Sequence, residues 1–259
     1  MTEKALPTLF FAHANGFPAA CYEPFFEELA PYPLDYVPIL GKDLHPPRSW
    51  DQLADEVIAA IEDRHTNPVV GIGHSFGGVA IFLAARRRPE LFSQIMVLDP
   101  PLFSWRRRLL LIPFQLLGLA ERMIPPARKA LARREHFSSR EEAKQYWATK
   151  HFFQAFTPES LDAYVEHGLR ETADGFTLTV PGKQEAQFFA AMTTRIGKTT
   201  MAMPAHYLLP TGRGILPSSH HAELRRKFSS WQWHELPGNH MFPLEHPQET
   251  AALVKRLIV

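Results

Sequence analysis

The chain has 259 residues, 45% of them hydrophobic and 21% charged, with a formal net charge of +1. That length suits one large α/β domain, or a core carrying an insertion, and the near-neutral balance excludes a global attraction to nucleic acid. A single cysteine, Cys21, excludes a disulfide framework and a cysteine zinc cluster, and its expected place is that of a small buried hydrophobe.

Along the chain, short apolar runs alternate with helical patterns, which predicts a parallel sheet covered by helices. Strands are expected near Thr8–Ala12, Tyr36–Leu40, Val69–Ile72, Gln94–Leu98, His206–Leu209 and Gln232–Leu236. Between them the spacing predicts helices near Tyr22–Leu29, Trp50–Arg64, Phe76–Arg88, Ala222–Phe228 and Glu249–Leu257. Ser49 is the expected cap of the second helix, whose apolar positions are Leu53, Val57, Ile58 and Ile61. The start, Met1-Thr2-Glu3-Lys4, runs into a strand pattern without the basic and apolar regions of a signal peptide. The longest apolar stretch, near Leu109–Leu119, is too short for a bilayer and carries Pro113 and Gln115. A soluble, cytoplasmic protein is expected.

The alternation breaks once. From Leu102 to about Ala202 the pattern is helical and loop-like, rich in Arg, Phe and Pro. A segment of that size is too long for a loop and predicts a helical cap over the C-terminal edge of the sheet. The expected division is a core of residues 1–101 and 203–259 and a cap of residues 102–202. Within the cap, Asp174-Gly175 signals a turn leading into an extended Phe176–Val180.

Chemistry concentrates at Gly73-His74-Ser75-Phe76-Gly77, which follows the apolar run Val69-Val70-Gly71-Ile72 and precedes a helical pattern. Strand, G-x-S-x-G and helix in that order describe a nucleophile elbow. Ser75 is the expected nucleophile, and the Phe76 N–H at the helix start faces a developing oxyanion. A serine needs a base; His240, in Gly238-Asn239-His240 after the last strand, falls at the same sheet edge, whereas His246 reads as a surface residue. For the orienting acid, a Ser-Asp/Glu-His order leaves the loops after the fourth and fifth strands. The fifth-strand loop Pro210-Thr211-Gly212-Arg213-Gly214 has no carboxylate, and the remaining acids there are Glu223 and Glu235. Asp99, ending the fourth strand before Pro100-Pro101, is favoured, against the reading that it merely closes the strand. A second oxyanion donor is expected from Phe17 or Asn15 in the loop His13-Ala14-Asn15-Gly16-Phe17. His13 is expected to hold that loop through its ring, and His220 and His221 read as surface residues rather than metal ligands.

In this order, His13…Asn15-Gly16-Phe17, the elbow, Leu98-Asp99-Pro100 and Gly238-Asn239-His240 resemble the α/β-hydrolase superfamily, in its esterase/lipase-like branch with an H-A-x-G-F loop. The resemblance covers the chain except the cap, where only the position of the insertion matches. It implies Ser75 as nucleophile, His240 as base, a gating cap, no cofactor or metal, and hydrolysis of an ester, thioester or related acyl bond. A thioesterase and a non-catalytic ligand-binding protein on the same fold are the alternatives. Two departures stand out. The usual acid loop after the fifth strand is bare, and only about a dozen residues precede His13, which predicts a wholly parallel sheet of about six strands. Serine in the elbow argues against relatives that use an aspartate nucleophile.

The cap segment Ser104–Phe114, with Leu116, Leu117 and Leu119, is apolar and basic together, and Arg128–Arg134 forms a second basic stretch. The expectation is a packed apolar face with solvated arginines, giving at most weak contact with a membrane. Phe152, Phe153, Phe156, Phe188 and Phe189 are candidates to line a pocket for an apolar acyl substrate.

Overall fold

Every position of the strand before Ser75 is buried, because a parallel strand at the centre of a sheet is covered on both faces. The computed structural model describes residues 5–102, 112–192, 197 and 199–259. In chain order its strands are β1 (Leu9–Ala12), β2 (Leu34–Tyr36), β3 (Val69–His74), β4 (Phe92–Leu98), β5 (His136–Phe137), β6 (Leu169–Thr172), β7 (Gly175–Leu178), β8 (Ala205–Pro210) and β9 (Gln232–Leu236). Six of them form one sheet in the order β2-β1-β3-β4-β8-β9, and every neighbouring pair is parallel, as expected. Successive residues take opposite faces. Phe10, Ala12, Val69, Ile95, Val97, Tyr207 and Leu209 join one core with α2 (Asp51–Arg64) and α3 (Phe76–Arg87). Leu9, Phe11, Val70, Ile72, Met96, Leu98 and Leu208 join the other, with α1 (Glu23–Glu27) and the C-terminal helix Pro247–Leu257.

Two local expectations need correction. The second strand lies at Leu34–Tyr36, earlier than Tyr36–Leu40, pairing Leu9 with Leu34 and Phe11 with Tyr36. Pro38 has no N–H to give a ladder, and its carbonyl instead accepts from Ala19 N–H at 2.9 Å. Ser49 is not the cap of α2. Trp50 holds that position, and Ser49 Oγ accepts from Asp51 N–H at 3.2 Å while Gln52 Oε1 reaches back to Arg48 N–H at 2.6 Å.

The segment between β4 and β8 carries helices at Ala120–Met123, Pro125–Leu131, Arg140–Ala148, Pro158–His167 and Gly182–Ala190. It also holds an antiparallel sheet in the order β5-β7-β6, separate from the six-stranded one. Three strands of two to four residues are too short for alternation to show in sequence. The Asp174-Gly175 turn was legible: it joins β6 to β7 with Gly175 at φ +125°, where a side chain is strained. Among the described residues no helix is long and apolar enough to cross a membrane. Of the expected apolar and basic stretch Ser104–Phe114, residues 104–111, including Arg106–Arg108, fall outside the described residues.

Candidate active site

Parallel strands end together, so the loops that follow them share one edge of the sheet. Ser75 follows β3, Asp99 follows β4, and His240 follows β9 on that edge. Ser75 adopts φ 53°, ψ −118°, a left-handed conformation that costs a β-carbon residue roughly 1–3 kcal/mol. The surroundings impose it: Ser75 N–H donates to Leu98 O at 2.8 Å, and Gly77 N–H donates to His13 O at 3.1 Å. No side chain fits at Gly77, where a β-carbon would overlap the Ala12 carbonyl, nor at Gly73, where it would overlap the Gly77 carbonyl. The close approach of helix to strand therefore selects glycine on both sides of the serine.

Asp99 is also left-handed, at φ 40°, with its N–H donating to Leu208 O at 2.8 Å. Its carboxylate has no solvent exposure. His240 Nδ1–H donates to Asp99 Oδ2 at 2.7 Å, and Ser75 Oγ–H donates to His240 Nε2 at 3.0 Å. The same Oδ2 accepts from Ile215 N–H at 2.7 Å, whereas Oδ1 has no hydrogen-bond partner among the described residues. The loop without a carboxylate after β8 thus serves the acid with a backbone donor. His240 is placed by its own N–H, which donates to Arg213 O at 2.8 Å. Its side chain stays 20% exposed, so the middle of the line is reachable by solvent while Asp99 is not. Glu235 is exposed and paired with Arg225, and Glu223 lies on the helix His221–Lys227; neither meets His240. Three groups in such a line can pass the hydroxyl proton to the imidazole as the oxygen attacks a carbonyl.

Behind this line lies a pair of residues that sequence reasoning passed over. His74, the variable position of the pentapeptide, donates from Nε2–H to the His240 carbonyl at 2.8 Å and accepts at Nδ1 from Tyr22 O–H at 2.7 Å. Tyr22 Oη in turn accepts from Ala14 N–H at 3.3 Å. One chain of hydrogen bonds therefore ties the loop after β1 to the backbone that carries His240. The signal was available: a histidine inside an otherwise apolar, wholly buried strand needs partners for both nitrogens.

His13 does what its position suggested. Nδ1–H donates to Ala14 O at 2.8 Å and Nε2 accepts from Leu40 N–H at 2.6 Å. In the turn that follows, Phe17 N–H donates to Ala14 O at 3.1 Å, which takes it out of the free donors expected there. Asn15 fixes the loop to the helix Gly182–Ala190 by donating from Nδ2 to Glu185 O at 2.9 Å. Of the phenylalanines expected to line a pocket, Phe188 packs on Phe76 and Phe156 on Phe17. Phe152, Phe153 and Phe189 do line a cavity with Phe17, about 490 Å³ in volume. His220, His221 and His246 are half-buried rather than fully exposed, and no group of three metal-ligating side chains occurs among the described residues.

Burial pushes the His13 imidazole down to about 4, and burial followed by the neighbouring His240 pushes His74 well below the usual histidine range. Both are held neutral, so below the ordinary value of about 6.5 the unfolded chain binds protons that the folded chain refuses. Their contribution is intact above that pH and is lost as pH falls from there toward 4. For fully buried His13 it is on the order of 3 kcal/mol. Urea unfolding should show stability declining between pH 7 and pH 4.5, with a shallower decline in His13→Gln. An equally steep decline in that variant would place the acid sensitivity elsewhere.

Residues 9–253 match the alpha/beta hydrolase family. The chain belongs to that family. A type I acyl-CoA thioesterase, mpaH, of Penicillium brevicompactum is 26% identical over 249 residues, covering 84% of this chain and 55% of its own length. This alpha/beta hydrolase chain thus spans about half the length of the curated relatives it matches. Among solved structures, E-2-(acetamidomethylene)succinate hydrolase superposes with a TM-score of 0.80 at 16% identity, over 98% of this chain and 92% of that one. The thioesterase domain from the curacin biosynthetic pathway does so with 0.77 at 11% identity, over 96% and 91%. At such identities the superpositions speak for the alpha/beta hydrolase fold.

Proposed function

We propose that the chain is a serine hydrolase of the esterase/lipase-like branch with an H-A-x-G-F loop, cleaving an ester or thioester of an apolar acyl group. The observation that carries this reading is the continuous line Ser75–His240–Asp99 at 3.0 and 2.7 Å. In it Ser75 Oγ attacks the acyl carbon as its proton passes to His240 Nε2. The imidazolium that forms is stabilised by the Asp99 carboxylate, which also holds Nδ1 protonated. Negative charge on the carbonyl oxygen is met by Phe76 N–H at the start of α3 and by Asn15 N–H from the turn after β1. With Phe17 N–H already given to Ala14, Asn15 is the loop donor of choice. His240 then returns its proton to the leaving oxygen or sulfur. Water, deprotonated by the same imidazole, cleaves the acyl-serine ester and restores Ser75.

Residues 102–202 are the cap in this proposal, with Phe17 packed against Tyr164 and Phe153 as the seam between cap and core. The thioester side of the reading draws support from the acyl-CoA thioesterase and thioesterase-domain relatives. A screen of p-nitrophenyl esters of graded acyl length beside matched acyl-CoA thioesters tests it. Turnover of at least one series is expected, with a fluorophosphonate labelling Ser75. No turnover and no labelling across both series would remove the enzyme reading.

A further inference from the structure

The 490 Å³ cavity beside the loop after β1 differs in character from an ordinary acyl pocket. Phe17 lines it, and the Phe17 backbone closes the Ala14–Phe17 turn, so the cavity abuts the loop assigned to the oxyanion. Trp147, Phe152 and Phe153 make the walls apolar, and Phe152 keeps 47% of its surface exposed. The charges are one-sided. Lys129, Arg133, Arg134 and Lys150 line it, against the single carboxylate of Glu185.

Two of those cations are already spoken for. Arg133 bonds Glu185 and the Tyr164 hydroxyl, bracing the insertion beside Gly16, and Arg134 bonds Glu142. Lys129 and Lys150 have no carboxylate within ion-pair distance among the described residues; the Lys150 ammonium lies 4.1 Å from the Tyr146 ring centroid. An aromatic-walled cleft with two uncompensated ammonium groups at its rim attracts a ligand with an apolar stem and a negative end.

We infer that this cleft binds the anionic end of the substrate, a phosphate or carboxylate carried on an apolar stem, while the acyl carbon lies at Ser75. The inference rests on the acyl-hydrolase reading and adds the substrate's charge to it. The anion has two sources: the phosphates of a nucleotide-borne thiol on the leaving-group side, or a terminal carboxylate on the acyl chain. In either case the lysines bind without touching the reacting atoms, so their removal acts on KM and leaves kcat alone.

The test compares the parent protein with Lys129→Gln/Lys150→Gln on three thioesters. Octanoyl-CoA carries phosphates, the N-acetylcysteamine monothioester of suberic acid carries a carboxylate, and octanoyl-N-acetylcysteamine carries neither. Loss of the two rim charges predicts a KM rise of about tenfold for an anionic substrate. That difference should disappear in about 0.5 M salt, and the neutral substrate should be unaffected. A rise confined to octanoyl-CoA assigns the cleft to the leaving group, and one confined to the suberyl thioester assigns it to the acyl chain. Unchanged KM for both anionic substrates overturns the inference. If the parent cleaves none of the three, the thioester side of the hydrolase reading is at fault, and calorimetric titration with free CoA and with suberate decides the cleft by itself. Binding of either that weakens in the double variant supports the inference; no binding to the parent, or equal binding to both proteins, overturns it.

Discussion

Replacing Ser75 by alanine should lower turnover on the order of a millionfold, the loss seen when a triad nucleophile is removed from a serine hydrolase. The substitution removes one atom, Oγ, whose bond is to His240 Nε2. The backbone bonds that force φ 53° are made by Ser75 N–H and by the Gly77 and Val79 N–H groups, and all survive in the variant. Alanine pays the same conformational cost as serine there, since both have a β-carbon. Thermal unfolding should therefore move little. Some acceleration over water remains, because the backbone donors of Phe76 and the neighbouring loop still polarise a bound carbonyl. Hydrolysis by Ser75→Ala within tenfold of the parent, at an unchanged melting temperature, would take Ser75 out of its role. The same variant should resist labelling by a fluorophosphonate.

How much of this was legible in the sequence follows from which residues act through their own type and which act through assembly. β1, β3, β4 and β8 announce themselves because both faces are buried, which leaves uninterrupted apolar runs such as Ile95–Leu98. β2 is an edge strand of three half-buried residues, and the proline after Val37 decided its end more than its apolar content did. That Ser75 and His240 would share one sheet edge was legible, since the elbow needs glycines and the histidine loop follows the last strand. Asp99 emerged by exclusion, the loop after β8 being without acid. What that loop does instead, offering Ile215 N–H to Asp99, is a backbone function that no residue type encodes. The H-bond chain through Tyr22 and His74 joins positions 52 residues apart and again 166 apart, a distance at which pattern says nothing. The cavity rimmed by Lys129 and Lys150 is drawn from separate helices and loops of the insertion, so its charge was visible only as a basic stretch that read as solvated.

Asp99→Asn should fold and lose about ten-thousandfold in turnover, the cost of the equivalent change in a serine protease. In this site the reason can be followed atom by atom. Oδ2 accepts from both His240 Nδ1–H and Ile215 N–H, while Oδ1 is buried with no hydrogen-bond partner among the described residues. An asparagine therefore has two placements. With its oxygen at the Oδ2 position both donors are kept, but the amide NH2 fills the buried Oδ1 position without an acceptor, and no negative charge faces the imidazolium. With the amide reversed, NH2 meets Ile215 N–H head-on and donates to Nδ1, which moves the histidine proton to Nε2, where it can no longer accept from Ser75. The first placement sacrifices charge stabilisation and the second also the tautomer, so both depress kcat, and neither touches the substrate. Burying an unpaired amide costs about 1–3 kcal/mol, enough to lower the melting temperature without unfolding the protein. Glu235→Gln and Glu223→Gln are the controls. Glu235 is exposed and its pair with Arg225 lies at the surface, which makes a loss above about 1 kcal/mol in stability, or any loss of turnover, unexpected. Near-native turnover in Asp99→Asn with an inactive Glu235→Gln would move the acid to β9 and reduce Asp99 to a residue that merely closes β4.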